Sequence, residues 1–239
     1  MKLLVLQHAE VEHPGIFRQF LREDGHTYDA VELDAGEALP VLDGYDGLWV
    51  MGGPMDVWQE EEHPWLVAEK ALIKEAVESR GMPYLGLCLG HQLLAEALGG
   101  KVGPSKTPEI GVLDVMLTEE GASGVFLDGV PEVFPCLQWH SAEVTELPPG
   151  AQVLATSPAC VAQALKWGPR AYSAQFHVEV EPDTVANWSD IPEYASALVQ
   201  SMGADGAVTL ARDVEANMAT FNATAERIYI NWLQTAAQA

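Results

Sequence analysis

Pro83-Tyr84-Leu85-Gly86-Leu87-Cys88-Leu89-Gly90-His91-Gln92 decides how this chain is read. The apolar run Pro83 to Leu87 has the length and composition of a buried strand. Gln92-Leu93-Leu94-Ala95-Glu96-Ala97-Leu98 follows at once with a helical pattern. Strand, sharp turn and helix therefore meet at Cys88. Glycines two before and two after let the backbone turn tightly and keep side chains clear of the sulfur. The same mechanics place the serine of G-x-S-x-G enzymes. The amide of Leu89 then stands at a helix N-terminus, where it can donate to a developing oxyanion. The positive helix end also favours a thiolate over a thiol. Two readings remain at this point: a nucleophile, or a buried structural cysteine in a tight turn.

Ala171-Tyr172-Ser173-Ala174-Gln175-Phe176-His177-Val178-Glu179 reads as a strand ending in His-x-Glu. Side chains alternate along a strand, so His177 and Glu179 face the same way. A carboxylate there can hold one imidazole nitrogen and leave the other for a thiol, the nucleophile, base and orienter logic of a triad. Taken alone, His-x-Glu is a common solvated strand end. Joined to the cysteine turn, it selects the catalytic reading.

Met51-Gly52-Gly53-Pro54, Gly86-Leu87-Cys88-Leu89-Gly90-His91-Gln92 and Gln175-Phe176-His177-Val178-Glu179 together resemble the class I, triad-type glutamine amidotransferase family, and they stand in the family's order. The likeness covers about residues 1 to 182 and is closest to stand-alone proteins similar to the amidotransferase domain of GMP synthase. It implies an α/β, flavodoxin-like fold with a mostly parallel central sheet and flanking helices. It also implies a catalytic Cys88, His177 and Glu179, with the amide of Gly53 joining that of Leu89 as the second oxyanion donor. Gly52, Gln92, His140 and Ser141 are implied near the substrate. Gln92 lies one turn along the helix from Cys88 on the same face; otherwise its amide only caps. His140, in Trp139-His140-Ser141, is otherwise a buried, satisfied histidine. Glu109, before Ile110-Gly111, resembles a segment near bound glutamine, and His91 is read as structural. One departure is visible: the family usually has proline between the triad His and Glu, where this chain has Val178. Valine leaves φ freer, and the shared facing of His177 and Glu179 survives.

Strands and helices alternate through the first 100 residues. Lys2 to Leu6, Tyr28 to Leu33 and Tyr45 to Met51 read as strands, Pro14 to Arg22 as a helix. Trp65, Leu66, Leu72, Ile73, Ala76 and Val77 recur at helical spacing. Such alternation implies a parallel sheet covered on both faces, with ligands outside the carboxyl ends of its strands. Gly53, Cys88 and the His177-Glu179 pair all fall at such ends. Roughly Val112 to Val161 is richer in short strands and turns. From Asp183 the chain reads as helices starting near Asp183 and Asp205, a C-terminal extension (residues 183–239) packed on the same domain. Its apolar Ile228, Ile230, Trp232 and Leu233 are read as core packing rather than a partner surface.

The 239 residues are 48% hydrophobic, enough for a full core. The formal charge of −23 argues against nucleic acid and anionic membranes, which need a basic surface. Cys88, Cys136 and Cys160 form no even framework and no C-x-x-C, which fits a reducing cytoplasm. The first apolar run is too short for a signal peptide, and no stretch approaches the roughly 20 apolar residues of a membrane span. Glu60-Glu61-Glu62-His63 lacks a second histidine at ligand spacing, so no metal is expected. No cofactor is called for, and no phosphate loop is present, so a nucleotide-using synthetase is not on this chain.

The expected activity is hydrolysis of the γ-amide of glutamine through a cysteinyl thioester, with any ammonia used in synthesis passing to a separate synthetase subunit. A γ-glutamyl peptidase acting on small γ-glutamyl compounds is the close alternative. A cysteine α/β-hydrolase resembling dienelactone hydrolases would place about five strands before the nucleophile and an acid before the histidine. Here about three strands precede Cys88, and Glu179 follows His177. A non-catalytic protein on the same scaffold usually lacks a triad member; this chain keeps all three residues.

Overall fold

The computed structural model describes residues 1–237. The N-terminal half builds β1 (Lys2–Gln7), α1 (Phe17–Glu23), β2 (Thr27–Glu32), β3 (Gly47–Val50), α2 (Trp65–Lys74), β4 (Tyr84–Leu87) and α3 (Leu89–Ala97). A π-helical turn, Glu75–Ser79, closes α2. β5 (Lys101–Leu117), α4 (Glu119–Ser123), β6 (Val133–Glu146), β7 (Gln152–Thr156), β8 (Ala164–Trp167) and β9 (Ala171–Ala174) follow. Three helices end the chain: α5 (Thr184–Ser189), α6 (Pro192–Met202) and α7 (Gly206–Ala236).

The strands form one mixed sheet in the order β2-β1-β3-β4-β9-β8-β7-β5-β6. Neighbours from β2 through β9 pair in parallel. Those from β9 through β8, β7 and β5 to β6 pair antiparallel. The α/β class is as expected, but parallel pairing covers only half of the sheet. The connections explain the split. A parallel return needs a crossover of a dozen residues or more, which α1, α2 and α3 supply. β8 and β9 are separated by three residues, with Gly168 at φ 59° in the turn, so they can only run antiparallel.

Both faces of the parallel half are covered, which is why its inner strands β3 and β4 are buried along their whole length, whereas the edge strand β2 is largely exposed. Leu3, Val5, Trp49 and Leu85 pack on one face with Phe17 of α1 and Ile228 and Trp232 of α7. Leu4, Leu6, Leu48 and Val50 pack on the other with Leu66 and Ile73 of α2 and Leu93 of α3. Trp232 is fully buried, stands edge-on to Trp49 at 5.3 Å, and donates its indole N–H to Tyr84 O at 3.0 Å. Burying a large aromatic contributes about 2–3 kcal/mol, so the end of α7 belongs to the core. Ile230 is the exception, about one-third exposed. A third apolar cluster joins Leu137 and Trp139 of β6 to Trp188, Tyr194, Leu198 and Leu210 of the C-terminal helices. That cluster lies beside the site.

Candidate active site

Cys88 sits between β4 and α3 with φ 49° and ψ −102°, and is the one non-glycine with positive φ among the described residues. Such a conformation costs of order 1–3 kcal/mol and persists only where its surroundings impose it. The two flanking glycines show how. A Cβ on Gly86 would lie 2.6 Å from the Gly90 backbone, and one on Gly90 would run into the Val50 carbonyl. Strand and helix can therefore meet this closely only without side chains there. The Cys88 amide donates to Ala174 O at 2.8 Å and fixes the turn to β9. The sulfur makes no capping bond to its helix.

β9 stops at Ala174, short of the expected strand. His177 continues it through an isolated antiparallel bridge to Leu137, with bonds of 2.9 and 3.0 Å. His177 Nδ1 lies 2.6 Å from Glu179 Oε1, and the other carboxylate oxygen accepts from the Val178 amide at 2.9 Å. Trp188 stands edge-on to the imidazole at 4.7 Å. Burial opposes a charge on His177, but the Glu179 carboxylate and the Cys88 sulfur, which both bond to the ring, outweigh it. They hold its proton well above the ordinary histidine range. Glu179 is also tied from behind: its carbonyl accepts from Ile16 at 2.8 Å, where Gly15 (φ 51°) leaves room for it.

A cavity of about 250 Å³ opens over the sulfur, lined by Gly53, Cys88, Leu89, Gln92, Trp139, His140 and Ser141 among others. That is near the small end of ligand pockets. Gly53 and Leu89 both border it, and neither backbone N–H donates to an acceptor among the described residues. Gln92 borders it too, but its amide nitrogen is engaged with Gln175 Oε1 (3.0 Å) and Ala142 O (3.3 Å). His140 donates from Nδ1 to Ala142 O at 2.9 Å, and Nε2 lies 3.2 Å from Glu109. Glu109 stands behind the wall, held by Ser157 and Gln163. Gly52 is one residue back: its carbonyl is engaged in the interior, and Gly53 rather than Gly52 faces the cavity. His91 is fully buried on Ser173 at 2.9 Å.

Several residues here were not read from the sequence. Gln175 Nε2 lies 3.5 Å from the Cys88 sulfur; its place two residues before His177, on the same strand face, was the available signal. The buried Tyr194 lines the cavity as well; Asp56, Gln59 and Glu193, none of them buried, form its outer mouth, and no lysine or arginine lines it. Tyr194 of α6 also bonds to the buried Glu12. No local pattern announces a mouth built from a loop and a helix more than 130 positions apart.

These features together make the cavity over Cys88 the candidate site. The family model for class I glutamine amidotransferases matches residues 16–187, and the chain belongs to that family. It is 34% identical, over 77% of its length and 78% of the relative's, to the glutamine amidotransferase-like protein YfeJ of Salmonella typhimurium. It is 39% identical, over 63% of its length, to the glutamine-hydrolyzing GMP synthase of Aeropyrum pernix, spanning 27% of that enzyme. A crystal structure of a glutamine amidotransferase from Thermotoga maritima superposes with TM-score 0.85 at 28% identity, covering 100% of this chain and 99% of that one.

Proposed function

We propose that the protein hydrolyses the γ-amide of glutamine, through a γ-glutamyl thioester on Cys88. The observation that carries this reading is the arrangement around the sulfur. A strained, glycine-flanked cysteine faces a His177 backed at 2.6 Å by Glu179, beside two unengaged amides. The Cys88 thiol gives its proton to His177, and the thiolate adds to the side-chain carbonyl. The amides of Gly53 and Leu89 donate to the oxygen on which charge develops, each worth roughly 3–4 kcal/mol in such sites. The C–N bond breaks as His177 delivers the proton to the departing nitrogen, which leaves as ammonia. Water then adds to the thioester with His177 as base, and glutamate departs as the thiol reforms. Family membership supports this chemistry, and the word "glutamine-hydrolyzing" in the name of the GMP synthase relative supports glutamine as first substrate.

The carboxylates of Asp56 and Glu193 at the mouth favour a substrate or leaving group bearing an ammonium. Ammonia destined for synthesis would pass to a separate synthetase subunit through this mouth. Three free, buried cysteines fit a reducing cytoplasm. The test is a screen of purified protein with glutamine, γ-glutamyl dipeptides and glutathione, with ammonia assayed apart from other amines. Ammonia from glutamine, lost in Cys88→Ala, is the expected result. Release of amino acids from dipeptides with glutamine left intact would replace this reading by a γ-glutamyl peptidase. No turnover with any of them would overturn both.

A further inference from the structure

Besides His177–Glu179 and His140–Glu109, a further histidine–glutamate pair lies behind the cavity wall, and the chemistry above does not use it. His8, just past the end of β1, places Nδ1 2.8 Å from Gly52 O and Nε2 2.9 Å from Glu69 Oε1 on α2. Both side chains are fully buried. A carbonyl oxygen only accepts, so Nδ1 carries a hydrogen. Burial disfavours a second one on Nε2. The Glu69 carboxylate and the bond to Gly52 outweigh that cost, so the ring holds its proton above the usual range. A carboxylate thus faces one ring nitrogen and a backbone oxygen the other.

That oxygen belongs to the peptide whose nitrogen is Gly53. In a planar trans peptide, C=O and N–H lie on opposite edges, and no cis bond occurs among the described residues. A grip on Gly52 O from the interior therefore turns Gly53 N–H the other way. Gly53 borders the cavity together with Cys88 and Leu89. A Gly-Gly peptide is the one most in need of such a grip, because glycine on both sides leaves its plane the freest to rotate. Side chains cannot supply the restraint. A Cβ on Gly52 would run into the Glu12 carboxylate, and one on Gly53 would lie 2.7 Å from His8 Cβ and 2.8 Å from Leu89.

We infer that His8, backed by Glu69, is a positioning residue: it locks the Gly52–Gly53 peptide with Gly53 N–H turned to the oxygen that becomes negative when Cys88 attacks. A hydrogen bond to the carbonyl also polarises the peptide and strengthens its N–H as a donor. The contribution grows as charge develops, so it belongs to kcat more than to KM. The inference rests on the reading of Gly53 as an oxyanion donor in γ-glutamyl hydrolysis.

The test compares two reactions of the same sulfur. Hydrolysis of the best substrate passes through an oxyanion; alkylation by iodoacetamide displaces iodide at a saturated carbon and makes none. His8→Ala should lower kcat by about 10- to 100-fold, a part of the 10²–10³ lost when an oxyanion donor is removed outright. KM should stay within about threefold, and the alkylation rate of Cys88 within about twofold. His8→Asn, whose amide can still donate to Gly52 O, should recover most of the loss. Glu69→Gln, which keeps the shape and removes the charge, should cost only several-fold in kcat. A parallel fall of hydrolysis and alkylation in all three variants would mean a general structural role and would overturn the inference. So would an unchanged kcat in His8→Ala while Cys88→Ala is dead, and this result would leave the hydrolytic reading standing. A wild-type protein inert toward every γ-glutamyl substrate would overturn both together.

Discussion

His177 and His8 each rest one ring nitrogen on a glutamate in the interior, and they differ in what the other nitrogen meets. On His177 that nitrogen meets the Cys88 sulfur beside an open cavity; on His8 it meets the carbonyl of Gly52, sealed from solvent. Both rings hold their protons above the usual range, His177 because Glu179 and Cys88 outweigh burial, His8 because Glu69 and Gly52 do. The direction of the shift therefore does not separate them. The partner does: a thiol can give up a proton and take it back, whereas a backbone carbonyl can do neither. The proposed roles follow from this difference: a proton-transfer device in one place and a fixed strut in the other.

The sharpest way to break the comparison is to remove the two imidazoles. His177→Ala should lower turnover by at least about a thousandfold, because thiol activation and protonation of the leaving amine go together. His8→Ala should lose about a hundredfold at most. Glu179→Gln should cost roughly ten- to a thousandfold, by analogy with orienting acids in other triads. Combining His177→Ala with Cys88→Ala should add little, since groups acting as one unit are non-additive. The measurement is kcat/KM on the best substrate across single and double variants. Equal losses for His8 and His177 would erase the distinction drawn here. A larger loss for Glu179 than for His177 would point to the hold of its carboxylate on the Val178 amide as its main role.

Thiol labelling sharpens the same contrast with a smaller effect. Burial drives the Cys136 thiol well above its usual range and pushes Cys160 up to about 12. At pH 8 a thiol titrating near 12 is ionised to about one part in ten thousand. Iodoacetamide should therefore modify Cys88 at least about tenfold faster than either of the others in folded protein, read by peptide mass. Comparable labelling of Cys136 or Cys160 would show that a buried thiol here is reactive without an imidazole partner.

The two dyads also show what one sequence discloses. His177 and Glu179 are two residues apart, and strand alternation alone put them on one face. The turn at Cys88 was equally local, since two glycines within five residues dictate it. His8 and Glu69 lie 61 positions apart and meet only because β1 and α2 share a side of the sheet. The available hint was that His8 stands at the carboxyl end of a strand in a parallel sheet, where ligands gather. The mixed sheet was half legible for a similar reason. Apolar runs alternating with helices specify parallel pairing, but the direction of β5 to β8 depends on loop lengths and register rather than on a pattern within any strand.

His91 offers the smallest test, because it is a buried histidine with no carboxylate on its ring. Its Nδ1 meets Ser173, and burial, helped by the nearby His140, lowers its pKa to about 3. In the unfolded chain the same group titrates near 6.5. Between those values the unfolded state binds a proton that the native state does not, so stability falls as pH drops below about 6.5. One such group removes about 1.4 kcal/mol of stability at pH 5.5 and almost nothing at pH 7.5. His8 and His177 act in the opposite direction: their raised values add stability that is complete below pH 6.5 and is lost only as pH rises through the folded-state pKa. Their contribution is common to the wild type and the His91 variant and cancels between the two proteins. His91→Gln should make the difference in unfolding free energy between pH 7.5 and 5.5 smaller by about 1.4 kcal/mol, measured by urea titration at both pH values. The variant's own loss of packing cancels in that difference. An unchanged pH difference would mean that His91 accepts a proton in the folded state, and that a carboxylate partner is not what separates the charged histidines of this interior from the neutral one.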